Sequence, residues 1–175
     1  MNPLGNIRTR GRFFACLLLS TAIFVLDLKS KSTLLAMIET SMVEGKEFAD
    51  GIVLSKFLNV VLVWNRGGCF GLLRNVQFIS SLLLAVALGV ALTLLFCLWR
   101  STNALNSLCF ALVLGGALGN ARDRIVYGAV VDFIDLHLGK YHWPVFNVAD
   151  SAICIGLVLY LAADMSGANG KERRL

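Results

Sequence analysis

Asp132 and Asp150 are the residues whose surroundings best suit acid–base chemistry. Asp132 sits in Val130-Val-Asp-Phe-Ile134, a carboxylate among apolar neighbours. Such a setting raises a carboxyl pKa and favours the protonated form. Asp150 follows Asn147 by three residues, inside the first turn of a helix expected after Pro144. A carboxylate there suits the helix dipole but needs polar partners in a half-apolar setting. Two such groups brought together titrate as a pair and hold one proton between them. That arrangement suits peptide hydrolysis. The ionised acid takes a proton from water, while the protonated acid polarises the scissile carbonyl and then protonates the leaving nitrogen. His137 and His142, the only histidines, sit beside Trp143 with no Ser or Cys placed as a triad, and are read as interfacial side chains.

Other polar residues gather at the ends of apolar segments, where an ionisable group is expensive and therefore a functional candidate. Asp27 closes the first such segment, Asn120, Asp123 and Arg124 close the third, and Asn147 with Asp150 opens the fourth. Asn120 lies three residues before Asp123 and four before Arg124, so these side chains share a helical face. The plainer reading is that Asp123 and Arg124 form an interfacial ion pair, while Asn147 and Asp150 cap a helix.

The elements that position these residues must cross a membrane. The chain has 175 residues, is 57% hydrophobic and only 15% charged, and has a mean hydropathy of +0.74, too apolar for an ordinary soluble domain. Four spans are expected, at about 13–28, 78–99, 105–121 and 146–164. The first follows a basic segment as a signal peptide would, but it runs into Leu26-Asp-Leu-Lys-Ser-Lys31 rather than a small-residue cleavage site, and is read as an uncleaved helix that continues past the membrane. Four spans place both termini on one side. Arg8, Arg10, Arg12, Arg100, Lys171, Arg173 and Arg174 flank that side and make it cytoplasmic. The acids then share the outer face.

Between spans 1 and 2, over about 40–75, β-branched and aromatic stretches at Gly51–Leu54 and Phe57–Trp64 predict a small external sheet, and Asn65-Arg-Gly-Gly68 a turn. Gly67, Gly68 and Gly71 suggest a cover over the site that moves when substrate enters. The tail 167–175 reads as disordered. The expected architecture is a single integral domain over 1–175, an all-α membrane bundle of four helices with an external β-sheet. The five cysteines show no CxxC or Cys/His spacing, so no disulfide framework, metal or cofactor is indicated, and those in apolar runs read as packing. A net charge of +5 without a basic stripe interleaved with aromatics gives no nucleic-acid partner.

Five ordered blocks carry a resemblance. They are Asp27-Leu-Lys-Ser-Lys31, Asn65-Arg-Gly-Gly-Cys-Phe-Gly71, Gly115-Gly-Ala-Leu-Gly-Asn-Ala-Arg-Asp-Arg124, Val130-Val-Asp-Phe-Ile134 and Pro144-Val-Phe-Asn-Val-Ala-Asp150. In this order they resemble bacterial lipoprotein signal peptidase (signal peptidase II) from span 1 to span 4. The resemblance implies an aspartyl endopeptidase of the inner membrane, acting as a monomer among membrane lipid. It would remove signal peptides from prolipoproteins, cutting before a cysteine that already carries diacylglycerol. It implies Asp132 and Asp150 as the catalytic pair. Asp27, Lys31, Asn65, Gly67, Asn120, Asp123, Arg124 and Asn147 would bind substrate or hold the pair. Cys69 and Trp143 depart from the usual Ala or Ser and Phe, changes of volume that touch neither acid. The rival from another class is a small proton-coupled transporter, but its carboxylates belong near mid-membrane rather than at one face.

Overall fold

The structure, a computed structural model, describes residues 3–43, 51–67 and 79–166. Four helices, α1 (Pro3–Val43), α2 (Ile79–Arg100), α3 (Ala104–Tyr127) and α4 (Val148–Met165), are long and apolar enough to cross a membrane. At 1.5 Å per residue α2 measures about 33 Å, enough for the hydrocarbon layer, while α1 is nearly twice that. The expected first span at 13–28 is therefore the inner part of a longer helix. Lys31 four residues after Asp27 continues the helical register and pairs with it at 2.7 Å.

Helix α3 is the hub. Twelve of its residues are buried against three on α2 and four on α4, and α1, α2 and α4 all pack on it. Small residues allow the close approach. A methyl on Gly116 would meet the Ala149 carbonyl oxygen of α4 at 2.4 Å, and one on Gly115 the Ser20 carbonyl oxygen of α1 at 2.7 Å. Asn103 caps the start of α3 by accepting from the Leu105 and Asn106 backbone nitrogens. The helix runs beyond the expected end near 121 because the first residue that suits a left-handed cap is Gly128, at φ 69°. Asp123 and Arg124 thus lie on the last turns of α3 rather than beyond it.

Strands β1 (Ile52–Ser55), β2 (Leu58–Asn65), β3 (Val130–Leu138) and β4 (Tyr141–His142) form one antiparallel sheet in the order β1-β2-β3-β4. The sheet expected between spans 1 and 2 is there as β1 and β2, and the connection between α3 and α4 supplies its other half. Its inner face covers the part of α1 that follows the membrane span. Leu34, Leu35 and Ile38 of α1 pack with Val60, Leu62, Val131 and Phe133. In the β2–β3 ladder Val63 faces Asp132 and Asn65 faces Val130. This register delivers the end of β2 to the acid on β3. The readings for Gly68, Cys69 and Gly71 and for the tail 167–175 fall outside the described residues.

Candidate active site

The buried residues between α1, α3 and α4 are polar where a bundle of this kind is normally apolar. Asp27, Lys31, Asp123 and Asp132 are each 1% exposed and Asn147 is fully buried. Buried charges persist only when paired and hydrogen-bonded. Lys31 Nζ lies 2.7 Å from Asp27 Oδ2 and 2.8 Å from Asp123 Oδ2, and donates to Asn120 Oδ1 at 3.3 Å. Asp27 spends its other oxygen on the Ala149 backbone N–H at 2.9 Å. That N–H is one of the unpaired donors at the start of α4, so Asp27 also ties α1 to the helix that carries Asp150. Asp123 accepts from the Val131 backbone N–H at 3.2 Å and so fixes the start of β3.

Above this charged floor sit the two candidate acids. Asp132 Oδ1 accepts from Asn147 Nδ2 at 2.7 Å, and Oδ2 accepts from Asn65 Nδ2 at 2.8 Å. Asp150 Oδ1 accepts from Asn120 Nδ2 at 2.7 Å, and Oδ2 from the Asn147 backbone N–H at 3.3 Å. Asn147 is the junction. Its Oδ1 accepts from the Asp150 N–H, completing a reciprocal cap on α4, while its Nδ2 also reaches Asn120 Oδ1 at 3.2 Å. Capping and holding the acids, which are alternatives when only the sequence is read, are one arrangement here.

Burial drives the Asp132 carboxyl up to about 6, with the nearby Asp150 charge pushing the same way. The hydrogen bonds from Asn65 and Asn147 and the more distant Lys31 oppose the rise without cancelling it. One acid of the pair thus keeps its proton to a markedly higher pH than a free carboxyl does. A cavity of about 460 Å³ opens on both acids. Asn65, Asn120 and Arg124 line its polar end, and Trp143, Val145, Phe146 and Ile153 its apolar side. Arg124 donates to the Asn120 carbonyl oxygen at 3.3 Å, and its Nε is buried without a partner.

All ten residues singled out in the sequence fall in or beside this constellation. Gly67 is at its margin, buried, with its N–H on Asn65 Oδ1 at 3.2 Å, a local turn that orients the Asn65 amide. The Asp123–Arg124 ion pair of the plainer reading is not formed. Asp123 turns inward to Lys31, with its second oxygen 3.2 Å from Arg122, while Arg124 lines the cavity and donates to the Asn120 carbonyl oxygen instead. The backbone donors of Ala149 and Val131 were not identified from the sequence. Only the rule that a helix start leaves N–H groups unpaired pointed to the first of them.

The model of the family described as signal peptidase (SPase) II matches residues 19–165. A lipoprotein signal peptidase of Francisella tularensis subsp. novicida (strain U112) is 42% identical over 123 residues, which cover 68% of this chain and 76% of that protein. Another, from Burkholderia multivorans (strain ATCC 17616 / 249), is 47% identical over 130 residues, covering 71% and 78%. A solved structure described as a bacterial membrane enzyme matches with a TM-score of 0.73 at 26% identity, over 90% of this chain and 91% of that one.

Proposed function

The chain belongs to the signal peptidase II family, and from that premise we propose that it is an aspartic endopeptidase whose catalytic pair is Asp132 and Asp150. It is a multi-pass membrane protease that removes signal peptides from prolipoproteins. The observation that carries the aspartic assignment is the bridging position of Asn147, which donates to one acid through its side chain and to the other through its backbone.

In the proposed mechanism Asp132, the more buried acid, holds the shared proton and hydrogen-bonds the scissile carbonyl. Asp150, more open to the cavity, acts as the carboxylate and takes a proton from the attacking water. The new C–O bond forms as the carbonyl π pair moves to oxygen. When that pair returns, the C–N bond breaks and Asp132 gives its proton to the leaving nitrogen. Asp150 then holds the proton and Asp132 the charge, and one proton shift resets the pair. Asn65, Asn120 and Asn147 keep both carboxyls aimed at the cavity. The unused Nε–H of Arg124 suits a substrate carbonyl oxygen there. Asp27, Lys31 and Asp123 act beneath, locking α1, α3, α4 and β3 together.

The apolar side of the cavity suits a lipid-bearing residue next to the cut, so the substrate is a diacylglyceryl-modified prolipoprotein cleaved before its modified cysteine. The signal peptide, itself an apolar helix, enters laterally between spans. Arg12 reaches the Thr102 carbonyl oxygen, next to Arg100, at the bundle end opposite the acids. Basic residues at that end make it cytoplasmic, with both termini there and the site at the outer face of the inner membrane. Purified protein in detergent is expected to cut the diacylglyceryl-modified prolipoprotein and spare its unmodified form. Equal cleavage of both forms would overturn the lipid reading.

A further inference from the structure

The β3–β4 hairpin carries a polar cluster that the cleavage mechanism leaves unused. Asp135, 5% exposed, accepts from Asn59 Nδ2 at 3.0 Å and lies 2.8 Å from His142 Nδ1. Burial works against its charge, but the His142 hydrogen bond, then that of Asn59, and the nearby His142 and His137 rings outweigh it. They hold the carboxyl below the usual range. His142 lies flat on His137, with ring centroids 4.9 Å apart and planes at 19°. Both ring nitrogens of His137 are buried without a hydrogen-bond partner, so what His137 offers His142 is a ring face rather than a hydrogen bond.

The place of this cluster in the chain gives it a consequence. β4 is only two residues long and pairs with β3 at two positions, His137 with His142 and Leu138 with Tyr141. Directly after it Trp143, Pro144 and Val145 leave the ladder and form a wall of the cavity. Phe146 then rejoins the sheet opposite Ile134, one residue before Asn147. The wall is therefore suspended between two anchors. The Phe146 anchor has three backbone hydrogen bonds to Phe133 and Ile134. The other has a ladder too short to be stable alone, supplemented by the Trp143 N–H on the Leu136 carbonyl oxygen. Pro144 can donate nothing between them. The side chain of His142 is what strengthens the weaker anchor.

We propose that His142 is a positioning residue: through its bond to Asp135 and its stack on His137 it fixes the Trp143–Val145 wall, and so sets how tightly the substrate is held without entering the chemistry. This rests on the cavity being the substrate site. The test is steady-state cleavage of a diacylglyceryl-modified prolipoprotein by wild-type protein, His142→Leu and His142→Asn. His142→Leu is expected to raise KM about three- to tenfold, the size of one half-exposed hydrogen bond to a charged group, with kcat changed by less than about twofold. His142→Asn keeps an N–H near the Nδ1 position and is expected to recover most of the loss. Hydrogen exchange over residues 143–146 should rise in His142→Leu and return in His142→Asn. An unchanged KM in folded His142→Leu, a fall confined to kcat, or no recovery in His142→Asn overturns the proposal. Should His142→Leu fail to fold, Asp135→Asn, which keeps the shape of the acceptor and removes its charge, is expected to raise KM in the same way, and an unchanged KM there overturns it. Wild-type protein that leaves the substrate uncut defeats the peptidase reading instead, so the two failures are distinct.

Discussion

Asn147 Nδ2 donates to Asp132 Oδ1 at 2.7 Å while the same residue caps α4, so a single side chain fastens strand β3 to the helix that bears the second acid. Serine is also a good cap but has no amide to reach Asp132. Asn147→Ser is therefore expected to shift the thermal midpoint little and to lower kcat about ten- to a hundredfold, the loss of one hydrogen bond that aims the proton-sharing pair. Calorimetry beside steady-state kinetics checks this. A large loss of stability with unchanged turnover would make Asn147 a cap alone.

Lys31 is the only cation within ion-pair distance of Asp27 among the described residues, and it also meets Asp123. Lys31→Met leaves two buried carboxylates with fewer partners and is expected to cost about 3–5 kcal/mol. Adding Asp27→Asn should recover part of that loss. Unfolding in detergent, run as a double-mutant cycle, measures the coupling, and additive effects would contradict it.

Glycines on different helices should respond in opposite ways. A methyl on Gly119 would lie 2.6 Å from Asp27 Oδ2, whereas one on Gly89 of α2 meets nothing within 4 Å. Gly119→Ala is expected to cost about 1–3 kcal/mol and to reduce turnover by displacing Asp27 from Lys31 and Ala149. Gly89→Ala should be neutral or stabilising by up to about 1 kcal/mol. Thermal unfolding of the two variants side by side makes the comparison.

The raised Asp132 pKa fixes the sign of one pH effect. With about 6 in the folded protein against about 4 for a free carboxyl, the protonated form is favoured by folding. The stability this contributes is present below about pH 4 and lost as pH rises through about 6. Asp132→Asn should remove that slope, leaving the variant more stable than wild type above pH 6 by about 2–3 kcal/mol. Removing the Asp150 charge should lower the Asp132 pKa, and removing Asn65 should raise it further. Unfolding between pH 4 and 7.5 and carboxyl NMR titrations read these directions.

Much of the site was legible in the sequence because membrane physics makes polar residues conspicuous. Asp132 stands out within Val130–Ile134, and Asn147 with Asp150 follows Pro144 at a helix start. The resemblance added Lys31, Asn65 and Gly67, whose spacing alone names no partner. What the sequence left hidden was pairing across the chain. Val130–Leu138 reads as a connection until β2 supplies a neighbour, so the outer half of the sheet went unseen. Asp123 has Arg122 and Arg124 beside it, and only the packing of α1 on α3 reveals Lys31 as its buried partner. Asp135, Asn59 and His142 are far apart or look interfacial in one dimension, and the β2–β3–β4 register alone unites them.

The most direct measurement is the turnover of a diacylglyceryl-modified prolipoprotein by Asp132→Asn and Asp150→Asn proteins that unfold cooperatively like the wild type. Joint action of the two acids predicts that each substitution alone lowers kcat by about four orders of magnitude or more, and that the double variant is no worse than either single one. Cleavage by either single variant within about tenfold of wild type would contradict it.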